Sequence, residues 1–304
     1  MFIVNKISEN GFSFLELKNT RGAAKAIISL NEGARLQKLS FKRISVIDDE
    51  LSLPYKETFA SSILFPFANR IKNGLYSFEG EKHQFICNEN EKENALHGLV
   101  YNKKFELIER ELSKNSCSVT LLYQEKEKSK GFPFFYNIYV KYTLKENKIT
   151  VSVKVKNTDN NSFPFTLGWH PYFNSNDLHN SNLKFQSIKK IKFDDNLITS
   201  NVVDYSEKTP FQINDKQLDD CYVLKDNLIE FTTPDYTIKI GSDTKENYLQ
   251  LYTPANQNKI AIEPMTGVSD SFNNKLGLQI LEPNKAYNLK WNITFSKTNM
   301  GSNE

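Results

Sequence analysis

Apolar and polar residues alternate along most of the chain with a period of two. In Ile149-Thr150-Val151-Ser152-Val153-Lys154-Val155 every apolar residue carries an odd number, so an extended segment here has one apolar and one polar face. The same alternation predicts strands over 136–144, 229–232, 236–240, 248–252, 259–262 and 289–295. Turn residues punctuate them. Glu79-Gly80 separates Leu75-Tyr76-Ser77-Phe78 from His83-Gln84-Phe85-Ile86, and Pro234-Asp235 separates two of the strands above, which predicts consecutive antiparallel hairpins. No stretch of a dozen residues carries an i, i+3, i+4, i+7 apolar face, so any helix is short, and the segment after Leu51 is the best place for one.

The fold class this predicts is all-β, a large antiparallel β-sandwich. No Pro-rich, Gly/Ser-rich or low-complexity linker and no fixed-period repeat divides the chain, so a single β domain is expected over 1–304, with a core of about 27–295. The tail from Lys297 to Glu304 is expected to fray, and the charged run from Glu125 to Lys130 to be solvated.

Composition narrows the class of function. With 39% apolar and 12% aromatic residues the chain can bury a sizeable core, which excludes a disordered protein. Charged residues make up 25% and mean hydropathy is −0.53, with no apolar run of bilayer length, so a soluble protein with no membrane partner is expected. The net charge of +3 is small and its cations are spread out, which argues against a nucleic-acid partner. Cys87, Cys117 and Cys221 are odd in number and far apart, so neither a disulfide framework nor a zinc site is indicated. The start, Met1-Phe2-Ile3-Val4-Asn5-Lys6, lacks the apolar core of a secretory signal. The expected location is the cytoplasm, as a monomer or homodimer.

Candidate chemistry is concentrated in a few segments. His170 stands in Gly168-Trp169-His170-Pro171-Tyr172, where a titratable ring among bulky apolar groups is either a proton donor or a core histidine bonded to a carbonyl. His97 lies in Asn94-Ala95-Leu96-His97-Gly98, while His83 and His179 look like surface residues. Glu263 is expected to end the strand Ile260-Ala261-Ile262, because Pro264 stops the ladder, and so to point into a cleft as a general base or to sit at the surface. Of Asp219-Asp220 only one can face a site from a strand. Arg70 is one of five arginines in a Lys-rich chain and follows Asn69; its planar donor fork suits vicinal hydroxyls, or equally a buried carboxylate partner. Phosphate-binding Gly loops, Gly-x-Ser-x-Gly and His-Glu-x-x-His are absent, and the scattered histidines and carboxylates give no metal-ligand spacing.

Taken in order, these segments resemble the aldose 1-epimerase (galactose mutarotase) family. The resemblance is carried by Asn69-Arg70-Ile71 with Gly74-x-Tyr76-x-Phe78-x-Gly80, by Asn94-Ala95-Leu96-His97-Gly98 and by His170-Pro171-Tyr172-Phe173-Asn174. Leu218-Asp219-Asp220-x-Tyr222 and Glu263-Pro264-x-Thr266-Gly267-x-x-Asp270-x-Phe272-Asn273 complete it. It covers roughly Ile27 to Phe295. It implies a galactose mutarotase-like supersandwich that binds a small-molecule sugar with no metal or organic cofactor. Position by position it implies Glu263 as general base, His170 as general acid, Arg70 and His97 as sugar-binding residues, Asp219 as the carboxylate that holds hydroxyls, and Asn69 beside Arg70. The activity implied is interconversion of the α and β anomers of an aldohexose, with a bell-shaped pH profile.

The sequence resembles most the shorter branches of the family, some of which act on hexose 6-phosphates or other modified sugars. Pro171 follows the histidine where fuller members have Ser, and the segment near Thr253-Pro254-Ala255 lacks the Gln that fuller members place on the substrate. A hexose-6-phosphate 1-epimerase and a non-catalytic carbohydrate-binding protein are the alternatives. Trp169, Tyr172 and Phe272 suit stacking on a pyranose or packing in the core.

Overall fold

The computed structural model describes residues 1–298 apart from 90, 207, 208 and 246. The alternation becomes strand where it was expected. Lys148–Asn157 buries Ile149, Val151, Val153 and Val155 and turns Thr150, Ser152 and Lys154 outward; it pairs antiparallel with Tyr136–Lys145 on one side and Ala286–Lys297 on the other. These belong to a nine-stranded sheet running from the edge strand Glu106–Leu112 to Phe211–Gln212.

A five-stranded meander from Phe2–Glu9 to Ile44–Ile47 and an eight-stranded sheet both pack on one face of it. Trp291 and Phe295 project from that face of Ala286–Lys297. The first stacks on Trp169 of the eight-stranded sheet at 5.9 Å, and the second meets Phe41 of the meander at 5.3 Å. One contiguous apolar core runs from Phe2 to Phe295, and the β-sandwich expected from periodicity is the fold.

Local expectations also fare well. Glu79 and Gly80, with φ of +49° and +84°, turn Leu75–Phe78 into Glu81–Gln84, in the left-handed geometry a two-residue hairpin needs. The segment after Leu51 supplies one α-helical turn, Tyr55–Thr58, and Ser271–Asn274 forms a second among the described residues. In the charged run Glu125 departs from expectation: it is buried, accepting from Ser129 Oγ at 2.9 Å and Tyr136 Oη at 3.1 Å. Of the tail expected to fray, Lys297 closes the last strand and the Thr298 amide donates to Asp235 O, while 299–304 lie outside the described residues.

The strand holding Glu263 corrects one expectation. Pro264 does not stop the ladder; the strand runs Lys259–Met265 and Pro264 pairs with Leu249. The flanking amides, Ile262 N–H to Pro171 O and Thr266 N–H to Leu167 O, point to one neighbour. On that side the neighbour is broken at His170-Pro171, between Gly168–Trp169 and Tyr172–Asn174. In the register set by Gly168 with Met265 and Tyr172 with Ala261, Pro264 stands opposite Trp169, so its missing N–H takes one donor from the ladder without ending the strand.

Candidate active site

The eight-stranded sheet sorts its residues by parity. Leu249, Leu251, Ile260 and Ile262 enter the main core, while Gln250 and Glu263, direct cross-strand partners, take the other face. The next strand, Asp219–Leu224, pairs Asp219 with Tyr252 and so sets its carboxylate diagonally beside Gln250. Of the two aspartates only Asp219 faces the cavity; Asp220 pairs with Lys190 at 2.6 Å.

The loops above this face bring the rest. Ala95–Leu96 pairs with Arg70–Ile71, and the His97 amide donates to Asn69 O at 2.9 Å, which joins two sequence motifs in one corner. His97 takes φ +61°, and Gly98 follows at φ +76° so close to Phe65 that a Cβ would lie 2.2 Å from its carbonyl oxygen. Only glycine fits there. Asp270 braces the same corner: its amide donates to Arg70 O at 2.6 Å and its carboxylate receives the Lys72 amide at 3.0 Å.

His170, Glu263, His97, Arg70, Asn69 and Asp219, the residues expected from sequence, all line one cavity of about 520 Å³. His170 Nε2 lies 3.4 Å from Glu263 Oε1. The imidazole stacks on Tyr172, with ring centres 5.1 Å apart, and meets His97 edge-on at 4.9 Å. Glu263 Oε2, His170 Nδ1 and His97 Nδ1 are buried without a hydrogen-bond partner. Unpaired buried polar atoms are costly, and their collection at one cavity wall marks where a ligand's polar groups belong.

Burial pushes the Glu263 carboxyl well above the usual carboxylate range, with Asp219 adding to the rise and Arg70 opposing it. Burial brings His170 down to about 4, assisted by Arg70, and His97 also falls well below an ordinary histidine. Between the lowered His170 value and the raised Glu263 value the enclosed pair carries one titratable proton, on Glu263, and is uncharged overall. Asp219, open to the mouth of the cavity, is raised by loss of bulk water around it.

Among the lining residues that were not anticipated, three contact the expected ones directly. Gln250 donates to Asp219 Oδ1 at 2.7 Å and accepts from Asn69 Nδ2 at 3.5 Å, so a glutamine does stand in the site, three residues before Thr253. Glu89 holds Arg70 in a forked ion pair at 2.7–3.0 Å. Arg70 thus has a carboxylate partner and also lines the cavity. Tyr252 stands edge-on to Tyr172. Of the three aromatics proposed to stack, only Tyr172 reaches the cavity; Trp169 packs on Trp291, and Phe272 packs on Phe67 and Tyr76. Among the described residues no group of three His, Cys, Asp or Glu is placed to hold a metal ion, and no helix is long and apolar enough to cross a membrane.

The fold and cavity define a β-supersandwich protein with a polar, acid/base-lined pocket on one sheet. The sequence model of the aldose 1-epimerase family matches residues 13–294, and the chain belongs to that family. It is 25% identical over 273 residues to the Escherichia coli protein YihR, covering 86% of this chain and 87% of that one. A galactose mutarotase-like protein of Clostridium acetobutylicum superposes with a TM-score of 0.88 at 16% identity, over 98% of this chain and 99% of that one. Galactose 1-epimerase of Lactobacillus acidophilus superposes with a TM-score of 0.79 at 15% identity, over 98% and 99%.

Proposed function

We propose that this protein is a cofactor-independent mutarotase that interconverts the α and β anomers of an aldohexose, with Glu263 and His170 as its acid/base pair. The observation that carries the reading is that pair: two enclosed groups 3.4 Å apart, each with an unused hydrogen-bonding atom. The volume suits a monosaccharide, and the wall offers both donors and acceptors.

In the closed sugar Glu263 takes the proton from the C1 hydroxyl. The O1 electron pair forms the C1=O1 double bond, the C1–O5 bond breaks, and O5 takes a proton from His170. Rotation about C1–C2 turns the other carbonyl face toward O5. His170 then recovers the O5 proton, O5 attacks C1, and Glu263 returns its proton to O1, giving the opposite anomer with no net change in the pair. Ring opening begins with the pair's proton on His170. Moving it there from Glu263 leaves the net charge of the pocket unchanged, and sugar hydroxyls supply hydrogen bonds to the resulting ion pair. Arg70, His97, Asn69 and Asp219 hold the hydroxyls so that the open chain stays near closing geometry.

Freshly dissolved α-D-galactose and α-D-glucose followed by polarimetry test the reading. Equilibration faster than the buffer control supports it. A sugar that binds yet relaxes no faster than its control supports a carbohydrate-binding protein instead.

A further inference from the structure

Arg70 is more fully committed than a residue awaiting a substrate needs to be. Its Nε donates to both Glu89 oxygens at 3.0 and 2.9 Å and its Nη2 to Glu89 Oε1 at 2.7 Å, while Nη1 turns to Asn69 Oδ1 at 3.2 Å. Glu89 is itself pinned, because Asn94 Nδ2 donates to its Oε2 at 3.0 Å and the Glu89 amide donates to Asn94 O at 3.1 Å. Burial works against the ionised form of Glu89, yet Arg70 holds its carboxyl below the usual range, so the pair is ionised at neutral pH. Both side chains line the cavity and are only 14% and 16% exposed, so their attraction is weakly screened.

We propose that Glu89 is a positioning residue of the sugar site, which clamps the Arg70 guanidinium and cancels its charge, so that the pocket selects an uncharged aldose over one with an anionic substituent. The inference rests on the mutarotase reading above. Through Arg70, Glu89 fixes one end of a hydrogen-bond chain that continues from Asn69 to Gln250 to Asp219, in which each amide has its orientation set by its neighbours. Freed from Glu89, the guanidinium still has the Asp219 and Glu263 carboxyl groups within its field. The wall as a whole does not favour an anion. With Glu263 in its uncharged pair, Glu57, Glu89, Glu91 and Asp219 stand against Lys56, Arg70 and Lys92, the cations among the described lining residues, and Lys92 Nζ already donates to Asp195 O at 2.6 Å. A phosphate or carboxylate brought into this pocket meets a neutralised arginine and surplus negative charge, which is how an unfavourable pairing excludes a ligand.

The test compares wild type, Glu89→Gln and Glu89→Asp on D-glucose, D-glucose 6-phosphate and D-glucuronate, measuring kcat and KM for anomer relaxation. Wild type is expected to prefer glucose. Glu89→Gln keeps the shape and loses the charge. It is expected to raise KM for glucose about tenfold with kcat little changed, and to move the ratio of charged to uncharged kcat/KM about tenfold toward the charged sugars. Glu89→Asp keeps the charge and should keep the wild-type preference. A wild type that handles the 6-phosphate as well as glucose overturns the proposal, as does an unchanged ratio in a folded Glu89→Gln. If Glu89→Gln does not fold, a Glu89→Asp protein that loses the preference overturns it and one that keeps it supports it. If wild type relaxes no sugar at all, the mutarotase reading fails; calorimetric titration of the same three sugars into wild type and Glu89→Gln then reads charge selection separately, with equal affinities in the two proteins overturning it.

Discussion

Gln250 Nε2 donates to Asp219 Oδ1 at 2.7 Å across two neighbouring strands, and this bond sets which face of the amide the cavity meets. With Nε2 toward Asp219, Oε1 is left toward Asn69, so three polar side chains present a fixed order of donors and acceptors. Replacing Gln250 with Leu keeps the bulk and removes both bonds. Asp219 then loses its donor, and kcat/KM for the sugar should fall about tenfold, mostly through KM, with the fold intact by circular dichroism. An unchanged KM would mean that Asp219 needs no orienting partner.

The pH profile follows from the pair's single proton. Below about 4 His170 takes up a second proton while Glu263 keeps its own, and no base remains. Above the raised Glu263 value the one proton is lost, and no acid remains. The acid limb of kcat/KM should therefore lie near pH 4, well below an ordinary histidine, and the alkaline limb well above an ordinary carboxylate. An acid limb at about 6.5 would contradict this account.

The same shift affects stability, with a definite sign. The unfolded chain protonates His170 near its ordinary value, whereas the folded chain resists until about 4. Stability from the neutral ring is complete above the ordinary histidine value and is lost as pH falls toward 4. His170→Asn should flatten that part of the urea-denaturation profile relative to wild type, and parallel profiles would count against a neutral buried ring.

Gly98 carries the turn that presents His97. Gly98→Ala places a Cβ against the Phe65 carbonyl at φ +76°, so both strain and collision oppose it. A loss of at least about 1–3 kcal/mol in urea denaturation is expected. Gly80→Ala, at φ +84° with nothing within 4 Å, should cost only about 1 kcal/mol from the backbone alone. Equal losses would remove the argument for close packing behind His97.

Period-two alternation made the long strands legible, because half-buried strands such as Lys148–Asn157 separate their faces in the sequence itself. The Lys259–Met265 strand is buried along its whole length, so its pattern could not announce its end, and Pro264 looked like a stop. That it is not depends on pairing with neighbours on both sides, which no local pattern records. Glu263, His170, His97, Arg70, Asn69 and Asp219 stand out by residue type and local setting and take their expected roles from the family motifs, and one cavity collects them. Gln250 had a signal that went unread: a polar residue inside Tyr248-Leu249-Gln250-Leu251-Tyr252, buried at 3% exposure. Glu89 had none, since it is one carboxylate in a charged loop, and only the fold sets it against Arg70.

The most direct measurement is proton exchange NMR between the α and β H1 resonances of D-galactose and D-glucose at neutral pH, with wild type and Glu263→Gln. Cross-peaks with wild type, weakened about 10²–10⁴-fold in rate by a variant that still binds the sugar, are the predicted result. A folded Glu263→Gln protein that exchanges the anomers as fast as wild type would contradict the assignment of Glu263 as the base.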